Sequence, residues 1–185
     1  MTKVGFICEG GTERKIVESE NFKQILTSLE LELVAPVIDA TGKSNVYRSK
    51  IDAHVQRLKA NGADKIIVIT DLDDDACITK TKEAVGIDKV DLIIVAVKQI
   101  EAWYLADSAC MTTICKTEID YEFPEEPSSP FDVIKAMLME HTGRGVGDKI
   151  LLTSKCLGSN FSIANSAKHP NCSSAKYFLD KLSAL

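Results

Sequence analysis

Four short runs dominated by apolar residues punctuate the first hundred positions: Val4–Cys8, Leu33–Ile38, Lys65–Thr70 and Asp91–Val97. Between them apolar residues recur at helical spacing, first at Phe22, Ile25, Leu26 and Leu29, then at Ile51, Val55 and Leu58. Runs without alternation suit strands covered on both faces, and strands alternating with helices predict βαβ units around a mostly parallel four-stranded sheet flanked by helices. Gly10-Gly11 closes the first strand, and Thr12 is placed to cap the first helix. Pro36 has no amide to donate, which moves the second strand to a sheet edge. A short helix over Lys80–Val85 leads to the fourth strand, and another helix opens near Glu101.

Beyond about residue 110 the pattern changes. Glu122–Pro130 carries three prolines and reads as a loop, Ser129 and Pro130 start a helix over Phe131–His141, Gly143–Gly147 is a flexible turn, and Ser173–Leu182 is a closing helix. At 185 residues the chain suits one domain: a core over 1–110 and a helical C-terminal extension over 111–185 on the same sheet.

Composition adds constraints. Hydrophobic residues make up 45% of the chain, ordinary for a globular protein. No run approaches the roughly 20 apolar residues of a membrane helix, and the start MTKVGFICEGG lacks the pattern of a signal peptide, so a cytoplasmic location is expected. The net charge of −5 argues against binding nucleic acid through a basic surface alone. Six cysteines with no CxxC pair give neither zinc-ligand spacing nor a redox motif, and no GxSxG elbow is present.

In an open parallel sheet, ligands bind beyond the carboxyl ends of the strands. Acids stand there: Glu9 after the first strand, Asp71 and Asp73 after the third, and Glu101 after the fourth. On a continuing extended segment, residues two apart point the same way, so Asp71 and Asp73 can aim at one point. Crowded carboxylates repel unless a cation intervenes, and a hard divalent ion, Mg²⁺ or Mn²⁺, suits oxygen ligands. Gly10, Gly11 and Thr12, where strand turns into helix, can cradle a phosphate with their amides, although GGTERK is not a P-loop. Glu13 reads as a first-turn acid complementing the helix dipole, and Asp74 and Asp75 as turn residues.

Glu9-Gly10 and Asp71-Leu72-Asp73, in this order and placement, resemble the Toprim (topoisomerase–primase) family. With Cys8–Glu13, Thr70–Asp73 and Lys98–Asp107, the first 110 residues look like small bacterial Toprim-like proteins related to OLD-type nucleases, which often accompany phage-defence ATPases. The resemblance implies Mg²⁺-dependent phosphodiester chemistry, with Asp71 and Asp73 holding the metal, and the expected partner is nucleic acid, DNA before RNA. It further implies Glu9 as general acid or base or as a further ligand, and Glu101 completing the site. A lysine is wanted opposite the leaving oxygen: Lys98, Lys149 and Lys155 are candidates, the last two where OLD-like nucleases carry a functional lysine. An ATPase partner is implied and a homodimer is left open. The alternative reading is a non-catalytic, metal-binding regulatory partner of an ATPase.

Overall fold

The computed structural model describes all 185 residues. Strands β1 (Thr2–Cys8), β2 (Leu31–Leu33), β3 (Ile38–Asp39), β4 (Lys65–Asp71) and β5 (Leu92–Ala96) form one sheet in which every pairing is parallel. The order is β2-β1-β4-β5, and β3 also pairs with β1, beyond β2 along the same edge. Five strands therefore replace the four expected. The run Leu33–Ile38 is not one strand: pairing stops at Leu33 and resumes at Ile38, on either side of Pro36, which cannot donate to a ladder.

Side chains divide by the period of two that strands impose. Val4, Phe6 and Cys8 of β1, Ile67 and Ile69 of β4, and Ile94 and Ala96 of β5 enter the larger core on one face. Ile7, Ile66, Val68, Ile93 and Val95 enter a smaller core on the other. Helices α3 (Asp52–Ala60) and α4 (Ile78–Val85) cover the smaller face, supplying Val55, Leu58 and Val85. Gly5 lets α3 approach, since a Cβ there would lie 3.0 Å from a Leu58 methyl carbon.

On the larger face lie α1 (Gly11–Val17), α2 (Glu20–Ser28), α5 (Glu101–Ala106), α6 (Ser108–Cys115), α7 (Pro130–Thr142), α8 (Lys149–Leu157), α9 (Ile163–Ser166) and α10 (Ser173–Leu182). The helix expected after Gly11 is two, broken at Glu18-Ser19, where Ser19 caps α2 through Phe22 N–H. Thr12 lies inside α1 and does not cap it; Gly10 stands at that position. Helices α6, α8 and α9 carry no distinctive pattern in the sequence.

The C-terminal third is more than an extension. Ile134, Leu138, Leu152, Phe161, Ala175, Phe178 and Leu182 are buried in the same core as β1 and β4. Phe178 stacks on Phe22 at 5.6 Å, meets Phe6 edge-on at 6.5 Å and lies 5.7 Å from Trp103. Buried Trp103 donates its indole N–H to Ser174 at 2.8 Å, fixing α10 on α5. No helix is long and apolar enough to cross a membrane.

Candidate functional site

Strand register brings the acids together. Cys8 pairs with Ile69 and with Asp39, and Asp71 pairs with Ala96, so the chain leaves β1, β3, β4 and β5 along one edge of the sheet. A pocket of about 330 Å³ opens there, with no hydrophobic residue in its lining. Glu9, Gly10, Gly11, Thr12, Asp71, Glu101 and Lys149, all expected from the sequence, line it, together with Glu13 and Asp39, which were not. A larger hollow of about 510 Å³ lies between α2 and β2, is mostly apolar, and gathers no such cluster. Chemistry, and not size, marks the site.

Four carboxylates there are each anchored by one oxygen. Glu9 Oε2 accepts the Thr70 hydroxyl at 2.5 Å and the Asp71 N–H at 3.2 Å. Asp71 Oδ1 accepts the Ile100 N–H at 2.8 Å, so the start of α5 orients it. Glu13 Oε2 accepts the Gly10 N–H at 2.9 Å. Glu101 Oε2 accepts Lys149 Nζ at 3.1 Å, while Glu101 Oε1 is buried with no partner at all. Because the amide of Gly10 is committed to Glu13, Gly11 and Thr12 are the glycine-turn residues left with amides for a phosphate.

The acids strain against one another. Asp71 is pushed well above the ordinary carboxylate range, first by burial and then by the charges of Glu13, Glu101 and Glu9, with Lys149 opposing. Burial raises Glu13 to about 7, against hydrogen bonds from backbone amides and with the help of Glu9 and Glu101. Glu101 is raised by burial even though Lys149 pulls it down, the reverse of what an isolated ion pair does to its acid. Partial burial disfavours the Lys149 cation, but Glu101 and Asp71 outweigh it and raise its pKa. The pocket therefore keeps a Lys149 cation beside an acid whose affinity for a proton is raised.

Lys149 reaches the pocket because α8 packs against α1. A Cβ on Gly11 would come within 2.9 Å of an Ile150 methyl carbon, so glycine makes room for the residue after Lys149. Lys155, also on α8, is exposed and lies outside the pocket lining, a departure from its expected place. Lys98 sits after β5 with a φ of 59°, and its carbonyl accepts the Asp73 N–H at 2.7 Å.

Asp73 departs from expectation as well. Strand β4 ends at Asp71, and Asp73 takes a left-handed φ of 49°, so the two do not share an extended segment. Its carboxylate accepts Gln99 Nε2 and Lys43 Nζ, each at 3.3 Å, and it does not line the pocket. Lys43, Glu13, Asp39 and Thr70 are the participants that strand-end reasoning missed. A signal for Glu13 was present: it lies one helical turn after Glu9, on the same side of the strand–helix junction.

No family model matches the chain, and no curated protein or solved structure matches it either.

Proposed function

We propose that the chain is a Mg²⁺- or Mn²⁺-dependent phosphodiester hydrolase of Toprim type that acts on nucleic acid and works with an ATPase partner in phage defence. The observation that carries this reading is the convergence of Glu9, Glu13, Asp71 and Glu101 on one pocket, each with an oxygen not used by a protein donor. The donor set is all oxygen, the choice of a hard divalent ion, and Lys149 is the only cation lining the pocket. The unpartnered buried oxygen of Glu101 fits the same need, because such a group costs free energy until something satisfies it. In this conformation no three acidic, histidine or cysteine side chains stand as a ready-made ligand group, so binding calls for side-chain adjustment.

On this reading Asp71, Glu9 and Glu101 hold the ion. The ion supplies charge neutralisation at phosphate and a more acidic bound water. The remaining work belongs to the chain. Asp71 is oriented by the Ile100 amide and Glu9 by Thr70, which holds one oxygen of each and leaves the other to turn towards an ion. Glu13, titrating at about 7, can carry a proton near neutral pH. Lys149 faces developing negative charge, and the amides of Gly11 and Thr12 face a phosphate oxygen. A net charge of −5 leaves the surface poor in affinity for a polyanion, which supports delivery of the substrate by a partner.

The test is incubation with supercoiled plasmid and Mg²⁺ or Mn²⁺, with and without the partner ATPase. Metal-dependent nicking lost in Glu9→Gln and Asp71→Asn supports the assignment. Nicking unchanged in both removes it, and metal binding without turnover on any nucleic acid supports a non-catalytic regulatory partner instead.

A further inference from the structure

We propose that Lys43 is an internal counter-cation that holds Asp73 out of the acidic pocket and competes with a divalent ion for it. The inference rests on the metal-site reading above.

Lys43 opens a 3-10 turn, Lys43–Asn45, that follows β3. The turn is pinned to the site: the Gly42 N–H donates to the Glu9 carbonyl at 2.8 Å, with Gly42 at a φ of 128° that side chains rarely adopt. From this anchor Lys43 Nζ reaches across to the loop after β4, contacting the Leu72 carbonyl at 2.9 Å, Asp75 Oδ2 at 3.0 Å and Asp73 Oδ2 at 3.3 Å. Three oxygens surround the ammonium, the Leu72 carbonyl and Asp73 Oδ2 as hydrogen-bond acceptors and Asp75 Oδ2 as an ion-pair partner. One carbonyl and two carboxylates are the ligand types a hard cation chooses, so Lys43 occupies a place of cation chemistry.

Asp73 is the partner placed to change sides. Its contact is the longest of the three, its side chain is 37% exposed against 18% for Lys43, and the Thr81 hydroxyl secures Asp75 independently at 2.7 Å. Its left-handed backbone, tied to the Lys98 carbonyl, turns the chain out of the strand that ends at Asp71. Asp73 is held outside the pocket through both oxygens, Oδ2 by Lys43 Nζ and Oδ1 by Gln99 Nε2, each at 3.3 Å; an ion that recruits it beside Asp71 draws it from the charged partner, so neutralising Lys43 strengthens ion binding. A mere brace predicts the opposite, because loosening the loop disorders a ligand.

The experiment measures Mn²⁺ affinity by calorimetry for the unaltered chain, Lys43→Met, Lys43→Gln, Lys43→Arg, Asp73→Asn and the double variant Lys43→Met/Asp73→Asn. Lys43→Gln keeps a donor for the Leu72 carbonyl if the methionine variant folds poorly. Both neutral variants are expected to tighten Mn²⁺ about tenfold, Lys43→Arg to stay within about threefold, and the gain to fall below about threefold when Asp73 is already asparagine. In the unaltered chain, Mg²⁺ should shift the ¹⁵N resonance of the Lys43 ammonium. Unchanged or weaker binding in the neutral variants, a gain that survives Asp73→Asn, or no Lys43 shift at saturating Mg²⁺ overturns the competition and leaves the metal site standing. Absence of Mn²⁺ binding in the unaltered chain overturns both.

Discussion

The carboxylate of Glu9 and the hydroxyl of Thr70 lie 2.5 Å apart, joining the residue that follows β1 to the β4 residue just before Asp71. This bond holds two acids of like charge at adjacent strand ends, which their mutual repulsion alone would separate.

Thr70→Val removes the donor and leaves Glu9 held only by the Asp71 amide. The expected cost is about 1–2 kcal/mol, read from urea midpoints. Glu9→Gln keeps an amide oxygen for Thr70, so its stability should stay within about 1 kcal/mol while metal-dependent nicking drops on the order of a hundredfold. A stability loss in Glu9→Gln as large as in Thr70→Val would show that the carboxylate charge serves the fold.

Acidity of the pocket should appear in stability against pH. Burial pushes Glu13 up to about 7 in the folded chain, against about 4.5 for an exposed glutamate in the unfolded one, so the folded chain binds more protons between those values. Stability is then greatest below about pH 4.5 as far as this group decides it, and falls as pH rises to about 7. At about 1.4 kcal/mol per pH unit the change is on the order of 3 kcal/mol, and buried Asp71 adds to it in the same direction. Urea titrations at pH 5 and pH 8 check the sign, Glu13→Gln should flatten the slope, and Mn²⁺ at pH 8 should restore the lost stability.

Lys149 and Lys155 should separate cleanly. Lys149→Met leaves fully buried Glu101 without its only donor. The Lys149 side chain is 39% exposed, which discounts the usual buried-pair figure to about 1–3 kcal/mol at pH 8. The loss should be smaller at pH 5, where Glu101 more readily accepts a proton. Lys155→Met, on the exposed side of α8, should change neither stability nor nicking measurably.

Phe178 tests whether the C-terminal third belongs to the core. It is fully buried against Phe6, Phe22 and Trp103, and truncation to alanine should cost about 3–5 kcal/mol in a single cooperative transition. Deleting residues 173–185 should abolish cooperative unfolding of the whole chain. A stable, cooperatively folding 1–110 fragment would instead restore a separate core and extension.

Much of the sheet was legible because buried parallel strands write themselves as apolar runs, as Ile66–Ile69 and Leu92–Ala96 do. The edge was harder: Leu31–Leu33 and Ile38–Asp39 are too short to carry a pattern, and of the residues between them Val34 and Val37 are buried although the ladder is interrupted. Glu9, Asp71 and Glu101 were visible as acids after strands. Asp73 was misplaced because an Asp-x-Asp spacing specifies a direction only while the backbone stays extended, and the chain turns left-handed at Asp73.

The order of apolar runs and helical spacings by itself determined a parallel α/β sheet, and with it the edge at which acids would gather, since strand direction and connection follow from local pattern. Which acids meet was decided by tertiary structure alone. The sequence separates Glu101 from Lys149 by 48 positions and Lys43 from Asp73 by 30, and nothing local records either contact. Those pairings depend on α8 packing against α1 through Gly11 and on the turn at Gly42 being pinned to the Glu9 carbonyl, and burial then pushes an ordinary first-turn glutamate up to about 7. Charge density in a pocket depends on distance and desolvation, and both exist only once the chain has folded.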